Sequence, residues 1–504
     1  MPDPNGAKSW DRLSACGLGL GFFALYSATL CRTVYWYDSA ELVTAAVTLG
    51  NTHPPGYPLY ALLGHAFTWL PFEPALAVNL MSAAFGGLAV AFVFLVGREL
   101  RLDRGPALVG AATLGASSVF WANAVVAEVY CPAVATSSLV LFLLLRALRE
   151  SRASLCIGAG FTAGLGLGLH MSVATLGAGF AWLVWSNGRD VRTLFASGAA
   201  ALLGALVFLY VPLRAAQEPP LNICDPSSFE QLVWYLGGGA YRSWFGGTQG
   251  LLDRSATIVG SFVEQVGWVG IGVSMAGFIS LSRRTPKLSL AFVLMAAGNI
   301  MFFFDYQVHD IEVFLLHTTM LLCCFVAVGS QALVDLVAKV APAGRSRLVA
   351  GVASAAFVLL PVHLMFTGYA AANMSAFDET DPFITAASET LSDHAVILNF
   401  GTPDEWRKHA VFGMYAQLVR GERTDVRHLI GPDLRKLARD FDSLPRVYAY
   451  APVEMLGHFF DIAQDGPLWR VDGPKPEAET RAPRRNAEAR TCGTLTVLEV
   501  RDGW

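Results

Sequence analysis

The chain has 504 residues, of which 54% are hydrophobic and only 15% are charged. Soluble domains carry about 25% charged residues, so this composition excludes an ordinary soluble protein and indicates a polytopic membrane protein. The net charge of −4, with no basic tail, argues against a nucleic-acid partner.

Apolar runs along the chain predict about eleven transmembrane helices. The polar start MPDPNGAKSWDR leads into an apolar run of about 20 residues, which is long enough to span a membrane rather than to be cleaved. The predicted spans are 12–31, 77–97, 106–123, 131–146, 154–169, 171–187, 194–213, 257–281, 288–304, 311–330 and 348–368.

The connections between these spans differ in basic residues, which predicts the orientation. One set holds clusters such as Arg98/Arg101/Arg104, whereas the other set holds single arginines. By the positive-inside rule, the N-terminus and the basic set lie in the cytoplasm. Because successive connections alternate between the two sides of the membrane, this orientation requires two short spans that meet at His170. The loops 32–76 and 214–256 and the segment from about 370 are then extracytoplasmic. The composition hints at a bacterial source, hence an inner membrane.

The last part of the chain changes character and predicts a small extracytoplasmic α/β domain over 370–504, after a transmembrane module over 1–369. Short apolar runs (AVILNF, RVYAYAP, TLTVLEV) alternate with helix-like stretches (PDEWRKHAVFGMYAQLV, PDLRKLARDF, VEMLGHFFDIA). The stretch GPKPEAETRAPRRNAEAR is typical of an exposed loop. Cys224 and Cys492 both fall on the predicted outer side and could pair.

Two acids in the first outer loop, Asp38 and Glu41, are the candidate catalytic residues. Their D-x-x-E spacing before an apolar run also fits a capping box, with Asp38 as N-cap and Glu41 at the third helical position. A carboxylate fixed near a membrane surface is, alternatively, a natural general base for group transfer, because burial raises its pKa. The second acid could orient the first, or the pair could bind Mg²⁺ or Mn²⁺ weakly.

The segment HPPGYP follows these acids and holds the candidate substrate-binding residues His53 and Tyr57. Its prolines restrict the backbone, Gly56 permits a tight bend, and Pro58 suits the first turn of a helix. A histidine before a helix start could meet an anion there. The alternative is a rigid loop that only shapes the helix entry.

Further polar residues fall at the same predicted membrane face. One by one they fit interfacial anchors, but together they suggest an outer cavity in which Arg holds a phosphate and aromatic rings stack on a sugar. These candidate substrate-binding residues are Glu128, Tyr130, His170, Arg214, Tyr241 and Asp310.

The motifs D-S-x-E, HPPGYPLY, NLMSA and FW-x(6)-EVY, spread over roughly the first 215 residues, resemble one family of GT-C type membrane glycosyltransferases. That family includes the animal O-mannosyltransferase that modifies IPT domains of plexins and the Met receptor. Its members often have Gly where this chain has Ala40, a change that should not move the acids.

The resemblance implies a bundle of about eleven helices with an extracytoplasmic active site. It also implies a polyprenyl-phosphate-linked sugar donor, mannose by analogy, and a protein or glycan acceptor. An acid of the first outer loop would be the base. Carried onto this chain, the base is Asp38, with Glu41 as the second acid, and His53 and Arg214 are candidates for the donor phosphate.

Three other interpretations stay open at this level. A transporter would place its polar groups near the membrane midplane, on broken helices in repeated halves. A membrane scaffold would use its C-terminal domain to bind a partner, and the acids would be caps. A related enzyme would move another sugar or modify envelope glycans.

Overall fold

The structure is a computed structural model that describes residues 4–187, 191–245, 250–308, 310–342, 345–400, 402–430 and 432–482. The predicted strand TLTVLEV and the predicted partner of Cys224, Cys492, lie outside these residues.

The chain divides into two compact units, and each combines separate stretches. The first unit holds Met1–Leu30, Asn79–Phe208 and Ser243–Ser375, and the second holds Cys31–Val78, Leu209–Arg242 and Ala376–Trp504. Most of the predicted first outer loop is therefore grouped with the C-terminal part of the chain. The domain boundary predicted at residue 370 stays a prediction.

The first unit is helical, and each of the eleven predicted spans coincides with a helix for most of its length. Its helices are Pro4–Ala28, most of Pro74–Glu99, Arg104–Ala116, Ser118–Ala124, Tyr130–Glu150, Ala153–Leu167, Met171–Leu176 (3₁₀), Gly177–Ser186, Val191–Ala205, Leu206–Leu209 (3₁₀), Leu251–Arg284 (broken at Gly267), Pro286–Phe303, Ile311–Phe314, Leu316–Val340, Ser346–Phe357 and Leu359–Ala372.

Among the described residues, seven helices are long and apolar enough to cross a membrane, or eight if the bent pair Arg104–Ala116 and Ser118–Ala124 is one span. This number is lower than the predicted eleven. Ala153–Leu167 has 15 residues, about 22 Å of helix, which is short for a hydrocarbon core of about 30 Å. The N-terminal helix carries polar residues in its first half. The predicted class, an α-helical polytopic membrane protein, is confirmed.

Two glycines bring the helices Leu251–Arg284 and Leu316–Val340 into close contact. A Cβ atom on Gly277 would lie 1.9 Å from the carbonyl oxygen of Phe325, and one on Gly329 would lie 2.0 Å from that of Val273. Small residues at such positions let helix backbones approach within a membrane, where packing contacts hold the bundle together.

We expect Gly329→Ala to lower the free energy of unfolding by about 1–3 kcal/mol, because the added methyl group meets backbone that cannot rotate away. Thermal unfolding of the purified protein in detergent measures this. The matched control is Gly272→Ala on the facing helix, where nothing lies within 4 Å of an added Cβ. Equal melting temperatures for the two variants would show that the helices separate easily.

The second unit contains a five-stranded mixed sheet. Its strands are β1 Val396–Asn399, β2 Arg427–Ile430, β3 Val447–Ala449, β4 Phe460–Asp465 and β5 Leu468–Pro474. The order is β2-β1-β3-β5-β4, in which β1 is parallel to β2 and β3, and β5 is antiparallel to β3 and β4. The predicted α/β domain is therefore confirmed, with the runs AVILNF and RVYAYAP forming β1 and β3, two of the three interior strands.

The helices of the second unit agree with some of the predicted elements and correct others. They are Asp38–Thr48, Pro58–Phe67, Tyr210–Ala215, Phe229–Leu236, Gly239–Trp244 (3₁₀), Thr380–Thr390, Pro403–His409, Ala410–Val419 (π), Leu434–Asp440, Phe441–Ser443 (3₁₀), Glu454–Phe459 and Ala478–Arg481. The helix predicted for VEMLGHFFDIA is wrong in its second half, because Gly466 at φ 57 closes a hairpin that makes Phe460–Asp465 a strand. The predicted loop GPKPEAETRAPRRNAEAR is described only to residue 482, and this part begins in β5 and holds a short helix.

Candidate functional site

Asp38 is the first residue of the helix Asp38–Thr48, and it does not cap it. The N-cap position is Tyr37, at φ 58, and no side chain of the described residues makes a cap hydrogen bond there. Glu41 instead turns into the protein and is fully buried. The capping-box interpretation is therefore wrong. Positive φ is uncommon for a residue with a side chain, and such backbone often occurs beside functional groups.

Glu41 binds His53 through two donors. Its carboxylate accepts a hydrogen bond from the backbone N–H of His53 at 2.6 Å and lies 3.0 Å from the ring Nδ1. The other ring nitrogen, Nε2, lies 2.9 Å from the hydroxyl of Tyr57. With the Nδ1 proton donated to Glu41, Nε2 accepts from Tyr57, so the two contacts specify both the tautomer and the ring orientation.

The segment around His53 has the local structure that the sequence predicts. Gly56 is at φ 81, and a Cβ atom there would lie 2.9 Å from the hydroxyl oxygen of Tyr235. Pro58 is the first residue of the helix Pro58–Phe67. The ring of Tyr241 packs edge-on against His53, with centroids 6.3 Å apart. The structure therefore brings together three of the candidate residues, namely His53, Tyr57 and Tyr241.

Asp38 completes this cluster and is its accessible member. One carboxylate oxygen lies 3.9 Å from Nε2 of His53, and 43% of the side-chain surface is exposed. Loss of hydration raises the pKa of Asp38, His53 lowers it, Glu41 raises it, and a hydrogen bond from Trp406 lowers it. The exposed fraction means that water screens these effects. A carboxylate whose pKa is raised is a better proton acceptor near neutral pH.

A divalent cation could also use this group of side chains. One ligand atom each from Asp38, Glu41 and His53 lie within 4.8 Å of one another. The contacts seen here, however, are hydrogen bonds, since both ring nitrogens of His53 face Glu41 and Tyr57. Binding of Mg²⁺ or Mn²⁺ by Asp38 and Glu41 stays a prediction.

Arg214 lies at the opposite end of the helix Asp38–Thr48. Its guanidinium donates to the carbonyl oxygens of Thr48 at 3.1 Å and Leu49 at 2.7 Å. An 11-residue helix is about 16 Å long, so the structure does not bring Arg214 next to Asp38. Its described contacts stabilise the helix end, and its predicted role as a phosphate ligand stays a prediction.

Four other candidates belong to the first unit. Tyr130 and His170 pack against each other with ring centroids 5.2 Å apart, and both contact the ring of Phe314. Asp310 precedes the short helix that carries Phe314, and the backbone N–H of Glu128 donates to a serine hydroxyl. Their roles in substrate binding stay predictions.

Sequence analysis assigned no role to Trp406 and Arg407, which the structure places at the site. Trp406 contributes to lowering the pKa of Asp38. The guanidinium carbon of Arg407 lies 4.9 Å from the ring centroid of Trp36, two residues before Asp38. In the sequence these two residues form only a Trp-Arg pair on a predicted helix, and Trp406 lies 368 residues from Asp38 along the chain.

Comparison with known proteins identifies relatives of the N-terminal part. Residues 38–193 match the family described as the N-terminal domain of protein O-mannosyl-transferase TMEM260. The mouse protein of that name is 30% identical over 204 residues, which is 38% of this chain and 29% of the mouse protein. The Dictyostelium discoideum protein is 23% identical over 290 residues, or 51% of this chain and 35% of that protein. The chain thus spans about a third of each relative.

Solved structures of ArnT from Cupriavidus metallidurans share the fold over nearly the whole chain. The structure bound to undecaprenyl phosphate aligns with a TM-score of 0.57, and the apo structure with 0.60. Each comparison covers 92% of this chain and 98% of ArnT at 12% identity. At this identity the likeness concerns the fold alone. Residues 38–193, which begin at Asp38, are therefore similar to the N-terminal domain of the TMEM260 protein O-mannosyl-transferases, and the chain shares the fold of ArnT.

Proposed function

We propose that the protein is a membrane glycosyltransferase that moves a sugar, mannose, from a polyprenyl-phosphate donor to a hydroxyl group of a protein or glycan acceptor. The observation that carries the proposal is the accessible carboxylate of Asp38, which lies 3.9 Å from a histidine whose far side is held by the buried Glu41. A hydroxyl nucleophile is activated by a general base that neighbouring groups hold in position.

The relatives support the substrate classes. The matched family and the mouse and Dictyostelium proteins are named as protein O-mannosyl-transferases, which favours mannose and a protein acceptor. ArnT, which shares the fold, has been solved with undecaprenyl phosphate, which favours a polyprenyl-phosphate donor. The predicted orientation places the site on the extracytoplasmic face. The source organisms of the two curated relatives lend no support to a bacterial inner membrane.

In the proposed reaction, the acceptor hydroxyl oxygen bonds to the anomeric carbon as the bond from that carbon to the phosphate oxygen breaks. Asp38 takes the hydroxyl proton, and the polyprenyl phosphate leaves with the bonding electrons. A single accessible base predicts inversion at the anomeric carbon, because the canonical retaining mechanism uses a second carboxylate as nucleophile and Glu41 is buried behind His53.

His53 is one candidate for the leaving phosphate, because Glu41 would stabilise a positive charge on the ring through Nδ1. Tyr57 and Tyr241, which pack on the same ring, are the candidates for contact with the sugar. Arg214 remains a second candidate for the phosphate.

The test is sugar transfer by the purified full-length protein in detergent, from radiolabelled polyprenyl-phosphate-mannose to an acceptor or to water. We expect release of polyprenyl phosphate that scales with protein concentration. No turnover of any polyprenyl-phosphate sugar by folded protein would overturn the proposal and favour a transporter or scaffold. Parallel assays with a chelator, then with Mg²⁺ or Mn²⁺ restored, measure metal dependence.

A further inference from the structure

The hydroxyl of Tyr57 is placed by the turn that precedes its helix. The backbone N–H of Gly56 donates to the carbonyl oxygen of His53 at 2.9 Å, and Gly56 takes a positive φ. Tyr57 then occupies the N-cap position of the helix Pro58–Phe67, where its carbonyl oxygen accepts from the backbone N–H of Ala61 at 3.0 Å. The buried tyrosine ring packs edge-on against the imidazole, with centroids 5.1 Å apart. This turn therefore fixes the hydroxyl beside the ring of His53.

The two ring nitrogens of His53 have different partners. Nδ1 lies 3.1 and 3.0 Å from the two carboxylate oxygens of Glu41. Nε2 lies 2.9 Å from the hydroxyl of Tyr57, but 3.9 Å from Oδ2 of Asp38. Hydrogen bonds between nitrogen and oxygen are about 2.7–3.2 Å long, so only the contact with Tyr57 is one. Nε2 is therefore held by Tyr57 and not by Asp38.

The direction of these hydrogen bonds follows from the available protons. Glu41 accepts from the backbone N–H of His53 at 2.6 Å and accepts the Nδ1 proton as well. Nε2 of the neutral ring is then an acceptor, to which a tyrosine hydroxyl can donate, whereas a carboxylate has no proton to give. Asp38 can bind Nε2 only when the ring carries a second proton. The hydroxyl of Tyr57 thus stabilises the neutral imidazole beside Asp38.

This competition for one nitrogen matters because the imidazole lies between two carboxylates. With Glu41 behind the ring and Asp38 in front of it, an imidazole that lacks the tyrosine hydroxyl gains a second proton and pairs with Asp38. A carboxylate in such an ion pair is a weaker base. In the described part of the chain, the other titratable groups that face this pair of residues are Glu41, Tyr57 and Tyr241.

We infer that Tyr57 is a positioning residue for the base: its hydroxyl binds Nε2 of His53, so that the imidazole does not bind Asp38 and the carboxylate stays available to the acceptor hydroxyl. The inference rests on the proposed role of Asp38 as base. It assigns to the Tyr57 hydroxyl an action through His53, which is distinct from contact between the tyrosine ring and the sugar. A hydrogen bond that sets this arrangement before the substrate binds holds the site ready for the reaction.

The test is Tyr57→Phe in the full-length protein, which keeps the aromatic ring and removes the hydroxyl. We expect kcat to fall about fivefold with the KM for polyprenyl-phosphate-mannose unchanged, as for the loss of one hydrogen bond that acts on the chemical step. The acidic limb of the pH profile should move to lower pH by about one unit, because the new ion pair with His53 favours the ionised form of Asp38. A raised KM with an unmoved acidic limb would overturn the inference and make the hydroxyl a sugar ligand.

The variant His53→Gln distinguishes an action through the imidazole from other effects of Tyr57. In this background, Tyr57→Phe should change kcat by about twofold or less, because the residue through which the hydroxyl acts is gone. Equal fold losses in the two backgrounds would contradict the inference. The matched control is Tyr448→Phe, which removes a hydroxyl that donates to the carbonyl oxygen of Thr390 at 3.2 Å. It should retain the wild-type kcat and pH profile.

A second readout does not depend on turnover. Carbodiimides react with protonated carboxyl groups, so peptide mass spectrometry of labelled Asp38 against pH follows its protonation directly. In a buffer that contains a chelator, the labelling midpoint should move to lower pH in Tyr57→Phe and not in Tyr448→Phe. If Tyr57→Phe does not fold, Tyr57→Leu, which also lacks the hydroxyl, serves in its place. An inactive wild type would overturn the proposed function, whereas an unmoved midpoint would overturn the positioning role.

Discussion

Replacing Asp38 by Asn is expected to lower the rate of sugar transfer by about 10²–10⁴-fold, the range that a positioned general base contributes. Asparagine has the size of aspartate, but it cannot take a proton at neutral pH. Since Asp38 makes no cap hydrogen bond, the helix should begin as before. The measurement is release of polyprenyl phosphate by the purified variant, with thermal unfolding as a check on folding.

The matched control for Asp38→Asn is Asp378→Asn, which changes an exposed carboxylate of the same unit. It should retain wild-type transfer. Full activity of a folded Asp38→Asn variant would contradict the proposed base and direct attention to Glu41. Glu41 is buried behind His53, however, so it could act only through the imidazole.

The cluster of Asp38, Glu41 and His53 could be predicted because it is local. The three residues lie within 16 positions of one another, and Pro54, Pro55 and Gly56 restrict the chain directly after His53. The capping-box alternative was equally local, and it failed because Glu41 found a buried partner in His53. Spacing alone cannot decide between a helix cap and a tertiary hydrogen bond.

Contacts between segments that lie far apart along the chain could not be predicted from the sequence. Arg407 packs over the ring of Trp36, although the two residues lie 371 positions apart along the chain. Arg214 was chosen for its charge, but its guanidinium binds the carbonyl groups at a helix end, which no pattern of charges reveals. The hairpin that follows Glu454–Phe459 was missed because its first strand continues an apolar helix pattern without a break.

The transmembrane helices, by contrast, could be predicted from the local sequence. Each depends on the length of one apolar run, which is a local property. The criterion weakens where the runs are short, as in Ala153–Leu167 and Met171–Ser186. In those places the loop charges, rather than hydropathy, carried the prediction of two spans.

A pair of histidines in the C-terminal domain is expected to make that domain sensitive to acid. His409 is fully buried, and neither of its ring nitrogens has a hydrogen-bond partner among the residues that the structure describes. The ring of His428 lies 4.7 Å away, between Gln417 at 3.1 Å and Tyr450 at 3.3 Å. Burial lowers the pKa of His409 to about 4, and burial together with His409 lowers the pKa of His428 well below its ordinary value.

The sign of the effect follows from these directions. The unfolded chain binds a proton on each histidine below about pH 6.5, whereas the folded domain keeps both rings neutral, so acid favours unfolding. The stability due to neutral His409 is complete above pH 6.5 and is lost as the pH falls towards 4. The loss for this one ring is on the order of 3 kcal/mol.

Hydrogen exchange of peptides that cover β1, Val396–Asn399, measures the opening of this domain within the full-length protein. Protection of β1 should decrease steeply between pH 6.5 and 4.5, after correction for the intrinsic exchange rate. His409→Gln removes one titrating ring and should flatten this dependence. His458→Gln, which changes an exposed histidine of the same domain, should retain the wild-type slope. Equal slopes for wild type and His409→Gln would show that the acid sensitivity arises elsewhere, and His428, whose charge would face Tyr450 and Gln417, would be the next residue to replace.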